Sequence, residues 1–259
     1  MGEALIRGAL KAGVVQRNRV VASRRTEDAL LRLQEELGIA TTTDNAALLR
    51  DCEVVVLGVK PQGLVALVES QRGHFRADHV VLSIAAGVTT RTLEDAIGLP
   101  VAVVRAMPNT PALVGEGMSP YCRGRHADES HALLAAELLS SVGKAIHVPE
   151  SLMDPITATS GSGPAYVFYL VECLNRAAEE IGLPEHLGRA LIRQTILGAA
   201  KLLVEAHESP AELRRRVTSP GGTTAAAIAE LEAGHFPELV TAALVAACRR
   251  ASELGRSST

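Results

Sequence analysis

The chain has 259 residues, 47% hydrophobic and 21% charged, enough for one or two sizeable cores, and its length favours two domains. A formal charge of -3 argues against nucleic-acid and membrane-surface partners, and no apolar run approaches the roughly 18 residues of a transmembrane helix. Cys52, Cys122, Cys173 and Cys248 are far apart, with no C-x-x-C pair, and read as reduced thiols of a cytoplasmic protein; the histidines do not cluster, so no metal site is expected.

Residues 3–12 have helical spacing, with Leu5, Ile6 and Leu10 on one side and Gly13 as the stop. A strand, Val20–Ser23, leads into Arg24 and Arg25. A helix over 27–37 ends at Gly38, and a short helix near 45–50 precedes a buried strand over 52–59. Further strands are expected at 80–84 and 101–105, with weaker ones near 118–122 and 145–148. Alternation of this kind predicts a parallel, doubly wound α/β sheet covered on both faces.

Ligands of such sheets sit beyond the carboxyl ends of the strands. Ser23, Arg24 and Arg25 fall where a dinucleotide fold meets the adenine ribose, and their chemistry suits a 2′-phosphate better than a 2′-hydroxyl, favouring NADP over NAD. Solvated loop arginines are the alternative reading. Gly58-Val59-Lys60-Pro61 and Ala85-Ala86-Gly87 offer small residues and free backbone at the next two strand ends.

A dinucleotide fold normally opens with a central strand and a G-x-G-x-x-G turn, whereas this chain begins Met1-Gly2-Glu3 and enters a helix directly. Gly2 matches the last glycine of that fingerprint. Removing a central strand orphans backbone groups on both neighbours, at about 1–3 kcal/mol each. Met1 is therefore expected to be an internal methionine of a longer natural chain, and an in-frame V-x-x-x-G-x-G is expected in the DNA upstream.

Beyond about residue 150 nearly everything reads as helix, placing the domain boundary between 152 and 153. Ser162 and Pro164 open a long helix ended by Gly182; others follow over about 185–206, 210–216, 223–233 and from Pro237 to Leu254. Their apolar stripes exceed what one small bundle covers, which points to dimerisation, with a self-contained bundle as the alternative. Before the 223–233 helix, Ser219-Pro220-Gly221-Gly222 breaks the chain, and Thr223 or Thr224 is expected to cap it. Small hydroxyls and bare N–H groups at a helix N-terminus suit a carboxylate; an ordinary loop-to-helix joint is the other reading.

The order of Gly58-Val-Lys-Pro61, Ala85-Ala-Gly-Val88, Met107-Pro-Asn-Thr-Pro111, Ser140-Ser-Val-Gly143, Ser160-Gly-Ser-Gly-Pro-Ala-Tyr166 and Val217-Thr-Ser-Pro-Gly-Gly-Thr-Thr224 resembles pyrroline-5-carboxylate reductase through nearly the whole chain. The resemblance implies a Rossmann-type domain (1–152), lacking its first strand, and an all-α dimerisation domain (153–259). It also implies reduction of 1-pyrroline-5-carboxylate to L-proline by NADPH, with NADH admitted, in a dimer or a higher assembly such as a decamer. Carried over by position, Ser23, Arg24 and Asn45 hold the adenosine end, and Met1 and Gly2 stand at the pyrophosphate. Gly58, Val59, Lys60 and Pro61 line the cofactor, and Ala85 and Ala86 flank the nicotinamide half. Glu150, Ser219, Gly222, Thr223 and Thr224 fall at the substrate, with Thr224 as hydrogen-bond donor to the ring nitrogen.

Two rivals remain on the sequence. A β-hydroxyacid dehydrogenase needs a lysine on the long helix after the cofactor domain, and residues 166–181 contain none. A non-catalytic remnant that only dimerises or binds would explain the missing strand, but not the intact motifs at the other strand ends.

Overall fold

The computed structural model describes residues 1–256. Helix α1 (Gly2–Lys11) serves two hydrophobic clusters at once. Leu5 packs with Leu82, Val104, Ala106 and Leu139, while Ile6 and Leu10 lie against Ala22, Leu33 and Ile39. Strand β1 (Val21–Ser23), helix α2 (Glu27–Leu37) and strand β2 (Ala40–Thr42) follow, then α3 (Asn45–Asp51), whose cap Asp44 accepts from the N–H groups of Ala46 and Ala47. The next elements are β3 (Val54–Leu57), α4 (Leu64–Ser70), β4 (Val80–Ser83), α5 (Thr90–Ile97), β5 (Ala102–Ala106), β6 (Gly117–Arg123), α6 (Glu129–Ser140), β7 (Gly143–His147) and α7 (Met153–Ile156).

The strands form two sheets, β1-β2 and β3-β4-β5-β6-β7. Among the described residues β1 pairs only with β2 and β3 only with β4, so each has one edge without a strand partner. The break falls where a dinucleotide fold holds its first strand, and α1 bridges it through its two packing faces.

The sheet is parallel except that β6 runs antiparallel to β5, which corrects the all-parallel expectation. The connection is residues 107–116, with one helical turn at Thr110–Val114. That is short for a crossover, so the chain doubles back instead. β6 and β7 approach closely at Gly143, whose φ is +146° and where a Cβ would lie 2.0 Å from the carbonyl oxygen of Gly117. No side chain fits there.

This first compact unit comprises Met1–Pro164 together with residues 246–256. Residues 153–164 therefore group with it, 12 positions beyond the boundary expected from the sequence, because Met153 and Ala158 are buried in it. The second unit, Ala165–Val245, is helical: most of α8 (Gly163–Glu180), α9 (Glu185–Glu205), α10 (Pro210–Arg216), α11 (Thr223–Ala233) and the start of α12 (Phe236–Arg256). Its buried residues are Ala178 and Gly188, while Phe168, Tyr169, Leu191, Leu239 and Val245 are at least half exposed. A unit of this size with so little interior leaves its apolar stripes uncovered.

Candidate active site

The carboxyl ends of β1, β3, β4 and β5 carry the polar features of the first unit. At the end of β1, the Ser23 hydroxyl donates to Asn45 Oδ1 at 2.6 Å, so two of the residues expected at the adenosine end meet directly. Arg24, expected beside them, donates from Nη2 to Glu3 Oε2 at 3.1 Å. Glu3 also accepts from Arg7, and that hydrogen bond is the main reason its carboxyl is held below the usual range.

Met1 caps α1 without a side-chain bond, and a Cβ built at Gly2 would meet nothing within 4 Å. The first-turn N–H groups of α1 thus have no side-chain cap. Beside them stands Gly58 at the end of β3, where a Cβ would lie 3.6 Å from Gly2 Cα. An uncapped helix start against a glycine strand end fits a pyrophosphate. Val59 is exposed, Lys60 precedes a helical turn that Pro61 begins, and at the end of β4 Ala85 is buried with Ala86 half-buried. The turn closes at Gly87, whose φ is +77°.

A partly buried ionic cluster joins β5 to the start of α5 and to Glu150, just past β7. Arg105, the last charge expected on an apolar strand, is 3% exposed and donates to Glu150 Oε1 at 3.2 Å. That oxygen also accepts from the N–H of Thr90 at 2.8 Å, and Oε2 accepts from the Thr90 hydroxyl at 2.7 Å. Both carboxylate oxygens of Glu150 are thereby engaged within the protein, while Arg105 Nη2 is buried without a partner. The neighbouring Cys122 thiol is pushed up to about 12, chiefly by burial and then by the Glu150 carboxylate.

Past β5, the Asn109 side chain accepts from the N–H of Met118 and donates to the carbonyl of Ser160. Ser160 and Gly161 end a π-helical turn, Thr157–Gly161, a distortion frequent at functional sites. Arg105, Thr90 and Glu3 were missed in the sequence. Arg105 had a signal, a charge inside the run Val101-Ala-Val-Val; the other two gain meaning only through partners 60 and 21 positions away.

In the second unit, Ser219, Gly222, Thr223 and Thr224 form one turn. Gly221 has φ +69°, and the N–H of Gly222 donates to the carbonyl of Ser219 at 3.0 Å. The N-cap of α11 is Gly222, and no side chain caps it, which corrects the expected capping by Thr223 or Thr224. Both threonines lie inside the first turn, one and two positions past the cap. Their hydroxyls stand in that first turn, beside N–H groups without intrahelical partners.

Comparison with known proteins places these features in one family. The family model for pyrroline-5-carboxylate reductase dimerisation matches residues 150–254, and that for NADP oxidoreductase, coenzyme F420-dependent, matches residues 1–87. The pyrroline-5-carboxylate reductase of Methanosarcina acetivorans is 41% identical over 256 residues, covering 99% of this chain and 95% of the relative. That of Pseudomonas aeruginosa is 40% identical over 248 residues, covering 95% and 91%. Among solved structures, a pyrroline-5-carboxylate reductase from Coxiella burnetii superposes with a TM-score of 0.90 at 39% identity, covering 98% of this chain and 94% of the other. The Plasmodium falciparum pyrroline carboxylate reductase with NADP bound gives 0.89 at 29% identity, with the same coverage. Identity at this level from end to end makes the chain a member of the pyrroline-5-carboxylate reductase family.

Proposed function

We propose that this chain reduces 1-pyrroline-5-carboxylate to L-proline with NADPH as donor, NADH serving as a second donor. The observation that carries the reading is the 41% identity to a pyrroline-5-carboxylate reductase across 99% of the chain. Bound NADPH supplies the hydride for the imine carbon. The C=N π pair moves to the ring nitrogen, and one proton in all completes the amine.

For this chain's residues we assign the following work. The N–H groups opening α11, with the hydroxyls of Ser219 and Thr223, hold the substrate carboxylate, aided by the positive end of the helix. The Thr224 hydroxyl donates a hydrogen bond at the ring nitrogen; a threonine is a weak acid, so orientation is its main contribution. Ser23, Arg24 and Asn45 take the adenosine end, Met1 and Gly2 the pyrophosphate, and Gly58, Val59, Lys60 and Pro61 the path between. Ala85 and Ala86 flank the nicotinamide. Glu150 supports the substrate side from within the first unit, its oxygens held by Arg105 and Thr90.

The helical unit assembles with a second copy, burying the apolar side chains of α8, α9 and α12 into a homodimer, and a decamer would be built from such dimers. No helix among the described residues is long and apolar enough to cross a membrane, and a cytoplasmic location goes with the reading.

The test is loss of NADPH absorbance when the purified chain meets the imine, with proline identified as product. The rival is a dimerising remnant without catalysis. A folded, nucleotide-binding chain that oxidises no NADPH with the imine present would decide for it.

A further inference from the structure

We propose that Glu3 sets how strongly the site prefers a 2′-phosphorylated dinucleotide, by competing with the phosphate for the Arg24 guanidinium. The inference rests on the cofactor reading above. One oxygen of Glu3 accepts from Arg24 Nη2 at 3.1 Å; the other accepts from Arg7 Nε at 3.1 Å and Nη2 at 2.9 Å. Arg7 also pairs with Glu36. Glu3, Arg24 and Glu36, but not Arg7, line a cavity of about 180 Å³ together with Ala29, Arg32 and Leu33. A phosphate dianion entering it meets two guanidinium groups, Arg24 and Arg32, and two carboxylates, Glu3 and Glu36.

The pair Arg24–Glu3 is exposed, at 43% and 37%. Such a pair is weak, whereas a charge-assisted bond from Arg to phosphate is strong and directional. The phosphate therefore takes Arg24, and Glu3 keeps Arg7, so the helix end is not left with an isolated carboxylate. The exchange still subtracts from phosphate affinity, through one broken ion pair and through repulsion from Glu3 itself. A nucleotide with a free 2′-hydroxyl asks nothing of Arg24 and leaves the pair intact. Glu3 thus narrows the difference between NADPH and NADH without approaching the nicotinamide.

The experiment is calorimetric titration of the full chain with NADPH and with NADH, wild type against Glu3→Gln, at low and high salt. Glutamine keeps an acceptor for Arg7 and removes the charge. NADPH is expected to bind about three- to fivefold more tightly, with NADH changed by less than about twofold and the gain shrinking in salt. Adding Arg24→Gln to that variant must abolish the gain. An equal change for both nucleotides, or none, overturns the inference and leaves the cofactor reading standing. Weakened NADH binding also overturns it, making Glu3 a ligand of the ribose hydroxyl. A wild type that binds neither nucleotide removes the cofactor reading, and the inference with it.

Discussion

Replacing Glu150 by alanine tests whether the cluster at the strand ends is the brace its geometry describes. The substitution removes the acceptor of three bonds, from the Thr90 N–H, the Thr90 hydroxyl and Arg105. Arg105 is 3% exposed and already has one unpaired nitrogen, so no other anion takes over. Stripping the partner from a buried charge costs about 3–5 kcal/mol. The Glu150 side chain is 29% exposed, and water entering its place puts the loss at the lower end, about 3 kcal/mol. For a chain of this size that lowers Tm by about 6–12 °C. Differential scanning calorimetry at fixed protein concentration measures it, since the assembly makes Tm concentration-dependent. Adding Arg105→Met removes the stranded charge, so the double variant should lose less than the sum of the singles, by about 1–3 kcal/mol. A loss under about 1 kcal/mol for Glu150→Ala, or strict additivity, would refute the reasoning.

Thr224→Ala should lower kcat/KM at least tenfold, about 1.4 kcal/mol, with Tm unchanged because the residue does not cap α11; unaltered kinetics would remove it from the mechanism. Gly143→Ala should give little soluble protein, since a Cβ 2.0 Å from the Gly117 oxygen must separate β6 from β7; normal yield and Tm would contradict the close approach. Cys122, with its thiol pushed up to about 12, should resist iodoacetamide in the folded protein at mildly alkaline pH and react once unfolded. The sign follows: the unfolded thiol ionises near its ordinary value of 9.0 and the folded one near 12, so this group's stabilising contribution is complete below 9 and declines as pH rises toward 12. Stability that rose over that window in wild type relative to Cys122→Ala would count against burial of the neutral thiol.

Much of the first unit was legible in its runs of Val and Leu. The helix over 27–37 begins and ends as expected, because Gly38 marks its end sharply. Helices α4 and α6 are not legible, since Leu-Val-Ala-Leu-Val and Ala-Leu-Leu-Ala-Ala read as generic apolar sequence whose periodicity does not separate strand from helix. The reversal of β6 was hidden because direction depends on a connection length, not on any residue of the strand. In the candidate site, residues clustered along the chain were visible as motifs. The partners that satisfy them were not: Glu3 for Arg24 and Arg105 for Glu150 are joined only by the fold.

For the polypeptide that starts at Met1, the break between the two sheets has a consequence at high concentration. Strand β3 reads Val-Val-Val-Leu, has no partner on one edge, and exposes Val56 at 42%. Unpaired N–H and C=O groups along an uncharged, β-branched strand form a template for pairing with any extended chain. Its four residues carry neither lysine nor proline to discourage this. Self-association along that edge would grow with concentration without reaching a closed stoichiometry, unlike assembly through the helices. Light scattering that climbs with concentration after dimer formation has saturated would be its signature, and Val56→Lys the substitution that quiets it.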